Sequence, residues 1–229
     1  MGEYYSWVNI DKKEYICPVD FDLGNRLHET ASVGNELLGS LYSLLSLEWK
    51  GDRIVFLGDE TEITANDVNP VLRALSSQRK EWNEPGYDHD YVTETYRCIS
   101  GIFKASEKEV RPEIEWMIQH NDFERGNYYR AKQETPFEGL FARDSRFFRF
   151  TINHTKHEFF DVENTKLTYL DDDGVLSIRV NPLPLLMAFP GENDKCTGLW
   201  LGDEIEVTDN TPPADYRDMS NEYGWDYSA

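Results

Sequence analysis

Apolar positions along the chain fall into short alternating runs separated by polar turns, and in a few stretches they recur every three or four residues. Tyr4 to Ile10 and Glu14 to Ile16 flank a polar Asp-Lys stretch and are rich in aromatic and β-branched residues, which predicts a β-hairpin. Phe148 through Phe160 repeats the arrangement, with Phe148, Phe150 and Ile152 on one face by alternation and Arg149 and Thr151 facing outward. Leu37, Leu38, Leu41, Leu44 and Leu45 recur at helical spacing and predict a helix within Asn35 to Trp49 that covers one face of the sheet. Arg53 to Leu57 and Glu60 to Thr64 flank Gly58-Asp59, which predicts a two-residue hairpin whose glycine supplies a positive φ. Leu201-Gly202-Asp203-Glu204 carries the same device.

The middle of the chain reads as helical. Asp67 stands as an N-cap before Val68, Val71, Leu72 and Leu75, and a second helical stripe runs through Val92, Tyr96, Ile99 and Phe103 after a turn at Glu84-Pro85-Gly86. A third helix is expected from Pro112 through Ile114, Trp116, Met117 and Ile118 toward His120. Residues 121 to 142, with Gly126, Pro136 and Gly139 among aromatics, read as an ordered loop. Beyond Thr211-Pro212-Pro213 lies an acidic aromatic tail containing Tyr216, Tyr223, Trp225 and Tyr227, free either to dock or to stay mobile.

Self-similarity organises these elements. Val8-Asn9-Ile10-Asp11-Lys12-Lys13-Glu14-Tyr15 is echoed by Ile152-Asn153-His154-Thr155-Lys156-His157-Glu158-Phe159, and Phe56-Leu57-Gly58-Asp59-Glu60-Thr61-Glu62-Ile63-Thr64 by Trp200-Leu201-Gly202-Asp203-Glu204-Ile205-Glu206-Val207-Thr208. Both matches stand 144 residues apart, Val8 from Ile152 and Leu57 from Leu201. The expected fold is therefore α+β. Two diverged copies of a hairpin-helix-hairpin unit, residues 1–66 and 147–210, form antiparallel sheet, with a central three-helix segment at 67–146 and the tail at 211–229. In the second copy Pro182, Pro184 and Pro190 predict a shorter helix or a loop.

Charge narrows the partners. With 43 acidic against 23 basic residues the chain carries a formal net charge of -20, which repels phosphate and disfavours direct binding of nucleic acid or an anionic membrane. A basic protein is the easier fit. Cys17, Cys98 and Cys196 are scattered without metal-binding or disulfide spacing, and no apolar run approaches the length of a membrane span, so a reducing, cytoplasmic setting is expected.

Several residues are candidates for chemistry. Asp59 and Glu60 with Asp203 and Glu204 form two carboxylate pairs that a two-fold arrangement could bring together, although hairpin turns favour these residues for backbone reasons alone. Asn9, Lys12 and Glu14 with Asn153, Lys156 and Glu158 present one polar set twice, which ordinary turn and strand decoration also explains. His154 and His157 are spaced by three, which suits a metal on a helix better than on a strand, and no third ligand is apparent, so neither metal nor cofactor is expected. Arg143, Arg146 and Arg149 interleave with Phe141, Phe147, Phe148 and Phe150, a pattern that can stack single-stranded bases but reads first as core plus solvated edge. Trp225 in the tail is a further contact candidate. No phosphate loop, nucleophile elbow or His-Glu-x-x-His helix appears, which weakens an enzyme reading without removing it.

The opening Met1-Gly2-x-Tyr4-Tyr5-x-x-Val8-Asn9-x-Asp11-Lys12-Lys13-Glu14-Tyr15, followed by Trp49-x-Gly51-Asp52-Arg53-Ile54-Val55, resembles a group of uncharacterised bacterial and archaeal proteins that begin the same way. The resemblance covers roughly the first 60 residues, with a weaker echo at Ile152 to Glu158 and at Pro182 to Leu186 and none in the central helices, and implies a bacterial, archaeal or phage source with no activity attached. The expectation is a non-enzymatic, acidic interaction protein that binds a basic partner. Its sharper form is a nucleic-acid mimic that inhibits a host nuclease or defence protein; the rivals are an enzyme with a site between the two copies and a homo-oligomer of the duplicated unit.

Overall fold

The computed structural model describes residues 4–21, 23–24, 26–27, 29–31, 33, 35–59, 68–78, 92, 95–103, 146–171, 174–189 and 196–221. In chain order the elements are β1 (Tyr5–Asn9), β2 (Glu14–Ile16), α1 (Glu36–Ser46), β3 (Ile54–Gly58), α2 (Pro70–Gln78), β4 (Arg97–Cys98), β5 (Phe150–Asn153), β6 (Glu158–Asp161), β7 (Lys166–Asp171), β8 (Gly174–Arg179), α3 (Leu183–Met187), β9 (Ala188–Phe189), β10 (Ile205–Thr208) and β11 (Arg217–Asp218). The protein is α+β. One sheet has the order β4-β2-β1-β3-β9, a second the order β10-β5-β6-β11, and β7 and β8 form a separate antiparallel ribbon.

Alternation along β1 explains how both faces of the first sheet are used. Tyr5 and Trp7 point into a core shared with α1, α3 and the inner residues Phe160, Ile205 and Val207 of the second sheet. Val8 and Ile10 point the other way, with Tyr15, Val55 and Leu57, and meet Val71, Leu72 and Leu75 of α2. The leucine stripe forms α1 as expected. Asn35 caps it by accepting a hydrogen bond from the Leu38 N–H at 2.8 Å, and the stripe is fully covered because the helix packs against β10 and its Tyr42 reaches Thr151 in β5 at 2.6 Å. The counterpart in the second half is the five-residue α3, which is buried throughout and opens with Pro184 in its first turn.

Several expectations are corrected. Helix α2 begins at Pro70, and its cap is Asn69: the Asn69 carbonyl accepts the Arg73 N–H at 3.0 Å and its side chain accepts the Val71 N–H at 2.9 Å, while the expected cap Asp67 lies outside the described residues. The stripe from Val92 to Phe103 is not one helix. Arg97–Cys98 is a strand paired in parallel with Glu14 and Tyr15, and a 3-10 turn follows at Ser100–Ile102. The physical reason is that Tyr96 enters the cluster under α2 whereas Phe103 enters the core on the other side of the sheet, and a single helical stripe cannot reach both.

Gly58 is the last residue of β3 and lacks a positive φ; the glycine that adopts one nearby is Gly51, at +77°. After Gly202 the chain enters β10, which pairs with β5 rather than folding back as a hairpin. Thr151 does not face solvent, because both faces of β5 are covered; Phe148 joins the inner core while Phe150 lies in β5 on the side of Ile152, away from it. The early part of the tail is docked: β11 pairs in parallel with β6 and Met219 is buried. The expected strand at Glu60 to Thr64, the helix at Pro112 to His120, the loop at 121–142 and the aromatic end from Tyr223 lie outside the described residues.

Candidate functional site

One polar network is built twice. In the first sheet the Asn9 side-chain amide donates to Asp52 at 2.8 Å, and its oxygen accepts the Lys12 N–H at 2.9 Å. Lys12 reaches Asp52 and the Glu48 carbonyl, the Trp49 indole N–H donates to Glu14 at 3.1 Å, and Arg97 closes onto the other oxygen of Glu14. In the second sheet Asn153 donates to Asp203 at 2.7 Å and accepts from the Lys156 N–H at 2.9 Å. Lys156 reaches Asp203 and the Leu199 carbonyl, Trp200 donates to Glu158 at 3.0 Å, and Arg217 closes onto Glu158 at 2.9 Å. The turn before each glutamate carries a non-glycine residue in the left-handed region, Lys13 at φ 56° and His157 at φ 54°.

The parallel strands match as well. Arg97-Cys98-Ile99-Ser100 and Arg217-Asp218-Met219-Ser220 each place a serine Oγ that accepts a backbone N–H at the end of the hairpin, Ser100 from Cys17 at 3.1 Å and Ser220 from Asp161 at 2.9 Å. These networks satisfy polar groups inside the sheet ends, and a buried group left without its partner costs about 1–3 kcal/mol.

This geometry resets the equivalence of the carboxylates. The counterpart of Asp203 is Asp52, in Trp49-Lys50-Gly51-Asp52 beside Trp200-Leu201-Gly202-Asp203, and Gly51 and Gly202 both take positive φ. Asp59 instead accepts the Tyr4 N–H at 2.9 Å and closes the end of β1 and β3. Glu204 has its backbone N–H on the Thr155 hydroxyl at 2.9 Å, where the first sheet has the Arg53 N–H on Asp11 at 2.7 Å. Hydrogen bonding to the Arg53 side chain holds the Asp11 carboxyl below its usual range, against the opposing effect of burial. Glu60 and Trp225 lie outside the described residues.

Arg146 and Arg149 also take structural partners. The Arg146 backbone donates to the Gly39 carbonyl of α1 at 3.1 Å, and its guanidinium lies 4.3 Å over Phe148. Arg149 forks onto Asp161 at 2.8 and 3.0 Å and lies 4.9 Å over Phe150, so its charge is held at the end of the strand.

The two sheets differ on their outer faces. On the first, Val8 pairs across to Tyr15 and Val55, and Ile10 lies beside them under α2. On the second, Ile152 pairs across to Phe159 and Glu206, and the position of Ile10 is taken by His154. His154 Nε2 lies 2.7 Å from Glu206 and Nδ1 lies 3.1 Å from the Tyr216 hydroxyl, while Tyr216 stacks flat on His157 with centroids 4.7 Å apart. His154 and Glu206 are about one-third exposed, at 29% and 36% of their side-chain surface. Among the described residues no group of three or more His, Cys, Asp or Glu side chains is placed to hold a metal ion. Among the described residues no helix is long and apolar enough to cross a membrane.

Compared with known proteins, the chain matches no family model, no curated protein and no solved structure. The assignment of a site therefore rests on its own geometry. The feature that stands out is the Glu206–His154–Tyr216–His157 group, placed where the other sheet has an apolar surface under a helix.

Proposed function

We propose that the chain is a non-enzymatic acidic interaction protein, built from two diverged copies of one unit, that binds a basic protein partner in the cytoplasm. The observation that carries this reading is where the positive charge goes. Lys12, Arg53, Arg97, Arg149, Lys156 and Arg217 each meet a carboxylate of the same chain, at the ends of the two sheets. Glu204 and Asp215 are exposed on a molecule of net charge -20. The resulting field attracts cationic surfaces and repels phosphate.

The matched networks at Asn9 and Asn153 support the two-copy reading, and Cys17, Cys98 and Cys196, none of them in a disulfide, fit a reducing compartment. The test is affinity capture from source lysate at low and at high salt, followed by titration of the purified partner. A basic protein whose affinity falls steeply with salt is expected. Binding that is indifferent to salt, or co-purification of a metabolite with no protein, overturns the reading.

A further inference from the structure

We propose that Cys17 and Cys98 form a redox-sensitive dithiol at the end of the first sheet, which a small-molecule disulfide such as oxidised glutathione closes into a reversible Cys17–Cys98 bridge. The second sheet shows what the same framework carries without it. Cys17 follows the last residue of β2 where Asp161 closes β6, and Cys98 follows Arg97 where Asp218 follows Arg217. Asp161 donates its N–H to the Ser220 hydroxyl at 2.9 Å, and that hydroxyl donates to Asp218. Cys17 donates its N–H to the Ser100 hydroxyl at 3.1 Å, and that hydroxyl lies 3.4 Å from the Cys98 sulfur. One serine thus touches both positions in each sheet. Two of the three cysteines in the chain fill this one pair of places, and both places hold aspartate in the other sheet.

The backbone puts the two side chains on one face. Cys98 is the register partner of Tyr15 in the parallel pair of β2 and β4, and Cys17 lies two residues beyond Tyr15. Both cysteines are half-buried against the cluster under α2, so a small molecule can reach them, whereas Cys196 packs against the other core with no second cysteine beside it. Diagonal positions on neighbouring strands stand about 7–8 Å apart. A disulfide needs Cα atoms about 4.4–6.8 Å apart, so closing the bridge draws the residue just past β2 toward β4. That residue already stands at a turn, where the Asp20 N–H donates to the Cys17 carbonyl at 3.1 Å.

Asp20 also supplies the chemistry, since its carboxylate lies 3.4 Å from the Cys98 sulfur. The Cys17 sulfur, as thiolate, attacks the incoming disulfide; a protein–glutathione bond forms and the first glutathione leaves as thiolate. The Cys98 sulfur then attacks Cys17, its proton passes to the Asp20 carboxylate, and the second glutathione leaves. Two protein thiols are oxidised and one glutathione disulfide is reduced to two thiols. In a reducing cytoplasm such a bridge is transient and reports oxidation. The site is separate from the acidic surface and does not depend on the basic-partner reading.

The test holds the native full chain in glutathione buffers of stepped redox ratio, alkylates the remaining thiols and maps all three cysteines by peptide mass spectrometry. Cys17 and Cys98 are expected to lose their thiols together, as one cross-linked peptide pair from monomeric protein, and to recover them in dithiothreitol. The ratio of oxidised to reduced glutathione that closes the pair is expected to be about tenfold or more below the ratio that modifies Cys196. Cys98→Ser is expected to stop at a glutathione adduct on Cys17, and Cys17→Ser to abolish the bridge. The map of the unsubstituted protein needs no variant and stands even if either substitution folds poorly. Oxidation that ends in glutathione adducts on both cysteines, a bridge that joins two chains, modification of Cys196 at the same ratio, or no reaction of the pair overturns the proposal. None of these outcomes touches the basic-partner reading, which the salt-dependent capture tests by itself.

Discussion

Trp49 and Trp200 hold the same place in two sheets: each is fully buried and each donates its indole N–H to the glutamate that opens the second strand of its hairpin, Glu14 at 3.1 Å and Glu158 at 3.0 Å. Each glutamate is held from its other oxygen by an arginine in a short parallel strand, so indole, carboxylate and guanidinium tie three separate segments together. Replacing either tryptophan by phenylalanine keeps most of the apolar volume and leaves the glutamate oxygen without its donor. W49F and W200F are each expected to cost about 1–3 kcal/mol, and by similar amounts, measured as shifts of the urea midpoint at unchanged slope. A difference of several kcal/mol between them would show that the two networks do not serve the same purpose.

The β1-β2 and β5-β6 hairpins and α1 were legible because their information is local. Asn9 and Lys12 fix a turn within four residues, and Asn35 with five leucines specifies a capped helix with one apolar stripe. The correspondence between the two networks was harder to read. Phe56-Leu57-Gly58-Asp59 matches Trp200-Leu201-Gly202-Asp203 at the spacing of the hairpins, whereas the partner in space is Trp49-Lys50-Gly51-Asp52, selected by bonds from Asn9 and Glu14 that span 43 and 35 residues. A visible signal existed in Trp-x-Gly-Asp followed by Ile54 and by Ile205, but it required a changed spacing. The His154 group was not legible at all, since Glu206 and Tyr216 lie 52 and 62 residues away and no local pattern links them.

The corrected register separates the aspartates. Asp203 accepts from Asn153 and Lys156, and Asp52 from Asn9 and Lys12, with both side chains mostly shielded, whereas Asp59 accepts one exposed backbone N–H. Asp203→Asn and Asp52→Asn place an amide against the Asn amide and remove the charge facing lysine, so each is expected to lose about 1–3 kcal/mol of stability. Asp59→Asn keeps an acceptor for the Tyr4 N–H and is expected to stay within about 0.5 kcal/mol of the unsubstituted protein. Equal losses at Asp59 and Asp203 in chemical denaturation would restore the equivalence that the spacing suggested.

Tyr42 predicts an alkaline limit. Its hydroxyl is buried between Thr151 at 2.6 Å and Asn181 at 2.7 Å, and burial pushes its pKa up to about 12, outweighing the opposite influence of these hydrogen bonds. In the unfolded chain the phenol titrates near 10, so between about pH 10 and 12 the folded state retains a proton that the unfolded state has lost. The contribution is complete below pH 10 and disappears as pH rises toward 12, which amounts to roughly 3 kcal/mol. Tyr42→Phe lowers stability at neutral pH through its two orphaned partners and is expected to flatten the fall in stability across this window. A parallel decline in both proteins, followed by denaturant midpoints at stepped pH, would mean that other phenols and lysines set the alkaline limit.

Gly202 links the second network to α2. Its φ of +90° favours glycine, and a Cβ there would stand 3.1 Å from Asn69 Oδ1 and 3.4 Å from Val71 Cγ2, while Gly51, at φ +77°, has open space where its Cβ would go. Gly51→Ala therefore carries only the backbone cost of the left-handed region, about 1–2 kcal/mol. Gly202→Ala adds the displacement of Asn69, which caps α2 and donates its side-chain N–H to the Leu201 carbonyl at 2.9 Å, and is expected to cost more than Gly51→Ala. Asn69→Ala alone loses the cap, about 1 kcal/mol, together with the tie to Leu201. In the double variant the alanine at 69 makes room for the Cβ at 202, so the two costs are expected to fall short of additivity by about 0.5 kcal/mol or more. Strict additivity in that cycle would mean that α2 and the Gly202 turn are mechanically independent, and that the helix on the first sheet does not sense the turn that leads into Asp203 and Glu206.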